Sequence, residues 1–193
     1  MSLSAEPHSN DPTPTLQHAL TYIKREAATM EPAMQLARKA EAYPLCVDLD
    51  YTVLRTDTLF ECLLDVFLQR PAALLKLPWW LAQGRAVLKQ QLAASCDFDP
   101  ATLPYRQELV DDLKAAREAG RTLVLATAAD GSIAHKVAQH LGLFDFVLAS
   151  NGRTNLSGES KRQALAATFG PGKFDYVGDN PDDLAVWKSA HRA

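Results

Sequence analysis

The second half of the chain alternates short apolar runs with amphipathic stretches, and this alternation constrains the fold more than any other feature of the sequence. The predicted strands are 122–127, 146–149 and 174–177, and the predicted helices are 105–119, 132–141 and 159–169. Gly120, Gly142 and Gly170 follow the three helices at the position where glycine commonly ends a helix. Strands that alternate with helices pair in parallel, so the sequence predicts an α/β fold built on a parallel sheet.

The first half of the sequence carries one short strand after a helical stretch. Residues 1–14 are polar and rich in Ser, Pro and Asp, which predicts a disordered tail. A helical pattern follows over 15–40, and Pro44 separates it from the apolar run 45–47, which predicts a strand.

Two further helices are predicted between this strand and residue 105. Apolar residues recur at helical spacing over 59–68 and again over 71–94, where Pro78 is expected to kink or split the helix. Trp79 and Trp80 are neighbours in the second stretch, and adjacent helical positions point about 100° apart. Both indole rings cannot easily face one core, so we expect at least one of them to be partly exposed.

Composition excludes several classes of protein. Apolar residues make up 47% and charged residues 22% of the chain, which is typical of a globular domain, and the net charge of -3 without a basic stripe argues against a nucleic-acid partner. Cys46, Cys62 and Cys96 are odd in number and far apart, which argues against a disulfide framework or a zinc site and indicates a reducing compartment. The start of the chain lacks an apolar secretory signal, so we expect a cytoplasmic location.

Polar side chains stand where three of the predicted strands end. Asp48 and Asp50 follow the first strand, Thr127 ends the second, and Asp179 follows the last. Ligands of open parallel sheets bind beyond the carboxyl ends of the strands, so these segments are expected to meet at one crevice. Carboxylate and carbonyl oxygens suit a magnesium ion, although an isolated Asp-x-Asp can equally begin a turn.

Two further residues favour an anion at this crevice. Thr127 is followed by the small residues Ala128 and Ala129, whose backbone N–H groups are expected to be free to meet a phosphate oxygen. Lys161 stands near the start of a predicted helix, where a cation is unfavourable unless an anion lies close, and Arg162 competes with it for this role.

An acidic loop follows the last predicted strand at 178–183. Gly178 allows a close approach of the backbone, and Asp179, Asp182 and Asp183 could complete a metal site. The alternative is a capped helix start at Pro181, which accounts for one acid but not for three.

In chain order, the segment Asp48-Leu49-Asp50-Tyr51-Thr52, then Thr127, Lys161 and the loop 178–183 resemble the four motifs of the haloacid dehalogenase-like (HAD) hydrolase superfamily. The match covers about residues 44–190. This resemblance implies a Rossmann-like parallel sheet with helices on both faces and a small helical cap inserted after the first strand. It assigns 15–56 and 105–193 to the core and 57–104 to the cap. It also implies another core strand after the acidic loop and its helix, and the sequence ends at Ala193 before such a strand.

The resemblance also implies roles for the motif residues. Asp48 would be the nucleophile that becomes an aspartyl-phosphate, and Asp50 would protonate the leaving oxygen and then activate water. The other implied roles are magnesium binding by Asp48, the Asp50 carbonyl and Asp179, support of that site by Asp182 and Asp183, and binding of phosphoryl oxygens by Thr127 and Lys161. A carboxylate two residues after the nucleophile favours a phosphatase over a dehalogenase. Tyr51 departs from the Gly of many relatives and puts the reach of the substrate in doubt.

A closer resemblance concerns the phosphatase-like domain found ahead of UbiA-type membrane polyprenyltransferases. It rests on the Leu-rich cap, on 151–156 and on Phe174-Asp175-Tyr176. It implies a C-terminal membrane domain as a partner, a position at the cytoplasmic face of the membrane, and a small-molecule or lipid phosphate ester as the substrate. The alternative is a catalytically idle HAD-like domain that binds or regulates within a larger membrane prenyltransferase. A receiver module is disfavoured, because both first-strand acids here precede a long helical insertion.

Overall fold

The computed structural model describes residues 43–193 and confirms the predicted α/β architecture. The strands are β1 (Leu45–Val47), β2 (Leu123–Asp130), β3 (Phe146–Ser150) and β4 (Asp175–Val177). The α-helices are α1 (Thr58–Gln69), α2 (Leu77–Ala82), α3 (Arg85–Ser95), α4 (Gln107–Glu118), α5 (Gly131–Leu141), α6 (Gly158–Phe169) and α7 (Leu184–Trp187). Short 3-10 helices cover Pro71–Lys76, Pro100–Thr102 and Pro181–Asp183. The predicted tail at 1–14 and the predicted helix at 15–40 lie outside the described residues.

The four strands form one parallel sheet in the order β3-β2-β1-β4. Leu45 of β1 is in register with Leu123 on one side and with Asp175 on the other. The Asp48 N–H donates to Val177 O at 2.9 Å, so the pairing of β1 with β4 continues for one residue beyond β1. Asp48 therefore emerges at the carboxyl edge of the sheet, beside the loop that follows β4.

Helices cover both faces of the sheet, as the sequence predicts. Alternate residues of a strand point to opposite faces, and Val47 and Leu125 pack in the layer that contains α4 and α5. Cys46 and Val124 pack in the opposite layer with α6 and α7. The central strands β1 and β2 are buried on both sides, which explains why they are short continuous apolar runs.

The helical segment between β1 and α4 differs from the prediction in its internal breaks. The helical stretch expected over 71–94 is a 3-10 helix, then α2, then α3, and the chain turns at Gly84 with φ 115°. The change from 3-10 helix to α2 falls directly before Pro78, as the predicted split requires. Pro78 lies in the first turn of α2, where its missing N–H costs no intrahelical hydrogen bond. Trp80 is 7% exposed and Trp79 is 71% exposed, which confirms that one of the two rings faces solvent.

The helical segment leaves the core and returns to it at one place. The Arg55 N–H donates to Pro104 O at 2.9 Å, and the Arg106 N–H donates to Val53 O at 2.8 Å. These bonds tie the two ends of the segment together next to the loop that follows β1. Within residues 43–193, no helix combines the length and the apolar character needed to cross a membrane.

Candidate active site

Asp48 is the first residue after β1, and its side chain is held at both oxygens. Oδ1 accepts the Leu49 N–H at 2.8 Å, and Oδ2 lies 3.0 Å from Lys161 Nζ. Burial raises the pKa of Asp48 above its ordinary value, and the ammonium group of Lys161 opposes this shift. The carboxylate is therefore fixed in direction and paired with a single buried cation.

Lys161 of α6 lies between two buried carboxylates. Its Nζ is 3.0 Å from Asp48 Oδ2, 2.9 Å from Asp183 Oδ1 and 2.8 Å from the Tyr176 hydroxyl oxygen. Burial and the carboxylates of Asp48 and Asp183 raise the pKa of Tyr176, so its hydroxyl remains protonated and donates to Asp183 at 2.7 Å. Arg162, the other cation considered for this role, instead pairs with Glu159 at the surface.

Gly178 and Asp183 fix the loop that follows β4. Asp183 is fully buried, and its Oδ2 accepts the Asn180 N–H at 3.3 Å. A Cβ atom on Gly178 would overlap Asp183 Oδ2 and would lie 2.8 Å from Tyr176 Cε1. The glycine is therefore needed for Asp183 to reach Lys161.

Asp50 lies two residues after Asp48 and has a different environment. Its Oδ1 accepts the Thr58 N–H at the start of α1 at 2.9 Å. Burial, and next the nearby carboxylate of Asp57, raise the pKa of Asp50 to about 7. A carboxyl group with this pKa can both donate and accept a proton near neutral pH.

Tyr51 lies between Asp50 and Thr52 and adopts a left-handed backbone conformation. It has φ 59° and is the one non-glycine residue among residues 43–193 with a positive φ. Arg106 holds the turn, since its Nη2 donates to Tyr51 O at 2.8 Å and its Nε donates to Thr52 O at 3.1 Å. The Tyr51 side chain is half-exposed and lines the pocket beside Asp48 and Asp50.

Asp179 lies against the same turn from the opposite side. Its Oδ1 accepts from the Thr52 hydroxyl at 3.3 Å, and its Oδ2 is 4.0 Å from Arg106 Nη2. Asp182 and Asp183 line the pocket in the same loop.

The donor set expected for magnesium fits this region in chemical type. Within residues 43–193, no three His, Cys, Asp or Glu side chains gather as a metal cage. A site would therefore use two carboxylates, Asp48 and Asp179, together with the backbone carbonyl of Asp50. These are the hard oxygen ligands of magnesium, which commonly takes only one or two carboxylates along with water and substrate phosphate.

Thr127 differs from its predicted position at a strand end. β2 continues to Asp130, where it pairs with Ser150, and Thr127 is fully buried inside the strand. Its hydroxyl oxygen accepts the Ala129 N–H at 3.0 Å, so this N–H is not free for an anion, in contrast to the expectation. Ala128 is the residue of this turn that lines the pocket.

The pocket has a volume of about 310 Å³ and lies between the carboxyl edge of the sheet and the inserted helices. Its lining residues come from the loops that carry the acids, from Lys161, from the inserted helices and from the loop before α6. The inserted helices and the loop before α6 contribute Leu59, Leu81, Arg85, Leu88, Lys89, Asn155 and Ser157. The pocket therefore joins five of the predicted motif residues, Asp48, Asp50, Lys161, Asp182 and Asp183, to side chains of the inserted segment. Thr127 and Asp179 do not line it.

Lys89 is a pocket residue that the sequence did not single out. Its Nζ donates to Ala128 O at 2.7 Å and to Asn155 Oδ1 at 3.0 Å. Burial lowers the pKa of Lys89, and the nearby carboxylates of Asp50 and Asp57 oppose that shift. A single Lys in a helical pattern carries no local signal, so only the tertiary structure reveals it.

Comparison with protein-family models gives no match. The uncharacterized protein y4nM of Sinorhizobium fredii (strain NBRC 101917 / NGR234) is 43% identical over 151 residues, which cover 78% of this chain and 29% of that protein. The chain thus spans less than a third of the length of this relative.

Comparison with solved structures of other proteins identifies the fold. The HAD family hydrolase t0658 of Salmonella enterica serovar Typhi has a TM-score of 0.55 at 13% identity, over 77% of this chain and 61% of that one. A substrate-bound phosphoserine phosphatase has a TM-score of 0.55 at 15% identity, over 79% of this chain and 85% of that one. A phospho-aspartyl intermediate analogue of phosphoserine phosphatase has a TM-score of 0.53 at 16% identity, over 78% and 85% of the two chains.

The chain has the haloacid dehalogenase-like fold that its four motifs predict. At these levels of identity the likeness concerns the fold. The closer resemblance to the domain that precedes polyprenyltransferases stays a prediction.

Proposed function

We propose that this chain is a magnesium-dependent phosphatase, which hydrolyses a phosphate monoester through an aspartyl-phosphate on Asp48. The observation that carries the proposal is the pairing of two acids in one pocket. Asp48 is fixed by Leu49 N–H and Lys161, and Asp50 has a pKa raised to about 7. Because their surroundings differ in this way, the two carboxyl groups can take different roles, Asp48 as the nucleophile and Asp50 as the proton carrier.

Asp48 would attack the phosphorus atom while Lys161 balances the charge. Phosphoryl transfer depends mainly on alignment and on electrostatic stabilisation of the phosphoryl oxygens. The backbone bond at Oδ1 sets the direction of the carboxylate, and the Lys161 ammonium is held in place by Asp183 and Tyr176. The cation is therefore already in place beside Asp48, and the bond that it gives to Asp48 could pass to a phosphoryl oxygen when the phosphoryl group arrives.

Asp50 would serve in both half-reactions. In the first, it donates its proton to the ester oxygen as the bond from that oxygen to phosphorus breaks and the alcohol leaves. In the second, it accepts a proton from the water that attacks the aspartyl-phosphate and releases inorganic phosphate. A pKa of about 7 suits both directions of transfer at neutral pH.

Magnesium would be held by the Asp48 carboxylate, the Asp50 carbonyl and Asp179, with Asp182 and Asp183 supporting the loop. When bound, it supplies positive charge to the phosphoryl oxygens. Ala128, which lines the pocket, and Lys161 would contact those oxygens, and the buried Thr127 would hold the turn at Ala129. The aspartyl-phosphate chemistry in the name of the phosphoserine phosphatase neighbour supports the same chemistry here.

Turnover of p-nitrophenyl phosphate with magnesium tests this function. We expect Asp48→Asn to abolish turnover and Asp112→Asn, which changes an exposed carboxylate of α4, to leave it unchanged. EDTA should abolish turnover, and Asp179→Ala should raise the magnesium concentration that is needed for turnover. Beryllofluoride with magnesium should raise the melting temperature of the wild type but not that of Asp48→Asn.

Three results would overturn the proposal. Normal turnover by Asp48→Asn would exclude the covalent route, and full activity in metal-free buffer would exclude the metal. Stabilisation by beryllofluoride without turnover of any phosphate ester would indicate the idle binding domain instead.

A further inference from the structure

Exposed apolar side chains concentrate at one end of the inserted helical segment. We call residues 67–85, from the end of α1 to the start of α3, the cap tip. Among residues 43–193, the four most exposed large apolar side chains all belong to it: Leu75 at 84%, Trp79 at 71%, Leu68 at 70% and Phe67 at 58%. Such a concentration of apolar surface typically marks an interaction site.

The four exposed side chains are not needed to pack the inserted helical segment against the core. Leu74, Leu77 and Trp80 face inward and join the main hydrophobic core. Leu75 and Trp79 are four residues apart and alternate with this inner set. The cap tip therefore has a complete inner face and a second apolar face that meets no other described residue of the core.

The charge of the cap tip is opposite to that of the whole chain. The cap tip contains Arg70, Lys76 and Arg85 and no Asp or Glu, while the chain has a net charge of -3. Arg70, Lys76 and Arg85 are exposed. The acids nearest to it in sequence on either side, Asp65 and Asp97, line a groove that Leu68 of the tip also lines. Exposed Trp and Leu combined with Lys and Arg are typical of segments that lie in the interface of an anionic membrane.

The cap tip is also continuous with the candidate active site. Leu81 and Arg85 belong to the tip and line the same pocket as Asp48 and Asp50. A surface on which the tip rests would therefore lie beside the mouth of that pocket.

We propose that the cap tip docks this domain on an anionic lipid surface. Leu75 and Trp79 enter the interface between headgroups and acyl chains, and Arg70 and Lys76 contact lipid phosphates. If the proposed phosphatase function holds, the pocket then meets amphiphilic phosphate esters at the membrane. The docking itself does not depend on that function.

A second copy of the chain fits the cap tip less well than a lipid surface does. In a two-fold symmetric dimer the same patch lies on both sides of the interface. Arg70 and Lys76 would then face the same cations of the partner, and like charges placed together across an interface are unfavourable.

Sedimentation with vesicles tests the docking. The full chain, in EDTA and without substrate, is mixed with vesicles of phosphatidylglycerol and phosphatidylcholine, or of phosphatidylcholine alone. We expect binding to the mixed vesicles that weakens with salt. Replacing two of the cations in Arg70→Gln/Lys76→Gln should weaken it by about thirtyfold.

The contribution of the apolar side chains to vesicle binding is tested with a matched pair of variants. Leu75→Ser/Trp79→Ser should lose binding, whereas Phe146→Ser/Leu184→Ser, which changes exposed apolar residues outside the tip, should retain it. Brominated lipid should quench the tryptophan fluorescence of the wild type and quench Trp79→Phe much less. Asp48→Asn should bind like the wild type, so a failure of docking and a failure of catalysis are distinguished.

Three results would overturn the proposal. One is equal sedimentation of the wild type and both tip variants. Another is a dimer in light scattering that Leu75→Ser/Trp79→Ser dissociates, since it would assign the tip to a second copy. The third is protection of Trp79 from aqueous acrylamide in the monomer without vesicles, since another segment of this chain would then cover the tip.

Discussion

Replacing Lys161 with Met removes the single cation that lies between Asp48 and Asp183. Met approximates the length of the Lys side chain, so the change removes charge with little change of packing. Lys161 is 2% exposed, and breaking a buried ion pair by removal of one partner typically costs about 3–5 kcal/mol. Two carboxylates, at 3.0 and 2.9 Å, lose their partner here, so we expect the upper half of that range.

Urea unfolding measures this loss. With a slope of about 2 kcal/mol per molar urea, the midpoint of Lys161→Met should fall by about 2 M relative to the wild type in EDTA. Arg162→Met is the matched control, because the adjacent Arg162 also forms an ion pair, with Glu159, but at the surface. Exposed pairs contribute about 0–1 kcal/mol, so the midpoint of the control should move by less than about 0.5 M.

The pH dependence of the stability of Lys161→Met provides a second check that the lost charge causes the defect. Burial already raises the pKa of Asp48, and loss of the Lys161 ammonium removes an opposing influence, so the pKa rises further in the variant. A folded state that holds a proton which the unfolded state releases loses stability as pH rises. The defect of Lys161→Met should therefore shrink in mildly acidic buffer. Equal midpoints for the two variants, or a defect that grows in acid, would refute this account of the buried cation.

Three further predictions concern Asp50 and the cap tip. Because the pKa of Asp50 is raised to about 7 in the folded state, its contribution to stability is greatest in acid and is lost as pH rises through that value. Asp50→Asn should therefore be more stable than the wild type in alkaline buffer, as urea midpoints can establish. A prenyl phosphate should be hydrolysed more efficiently than a short polar phosphate, and Trp79→Ala should reduce this preference without loss of stability. Trp80→Ala should cost about 3–5 kcal/mol, because Trp80 is buried; equal efficiency on both substrates in every variant would show that the apolar residues serve packing alone.

Local patterns predicted the core of the fold well. Parallel strands buried on both faces must be continuous apolar runs, and this requirement made β1 and most of β2 visible in the sequence. The ends of helices were equally visible where a glycine takes a positive φ, as at Gly142, which has φ 64° directly after α5. Strand ends then indicated which acids face one crevice.

Other features depended on contacts that no local pattern encodes. Lys89 bonds to a carbonyl 39 positions away, and Arg106 bonds to the Tyr51 carbonyl 55 positions away. Neither residue differs in sequence from an ordinary surface cation. The extension of β2 beyond Thr127 arises from its pairing with Ser150, which is again a long-range contact. The sequence of the inserted segment indicated the break at Pro78 but not the second one at Gly84, where the chain turns.

Gly178 offers a simple marker for interpreting sequences related to this one. Any side chain there collides with Asp183 Oδ2, and so displaces the carboxylate that anchors Lys161. Asp179 and Asn180 beside it are exposed and meet no such steric limit on residue size. A saturation library at position 178 should thus yield only glycine among variants that keep the lysine in place. By the same reasoning, a homologous sequence with another residue at this position must hold the carboxylate of Asp183 in a different place.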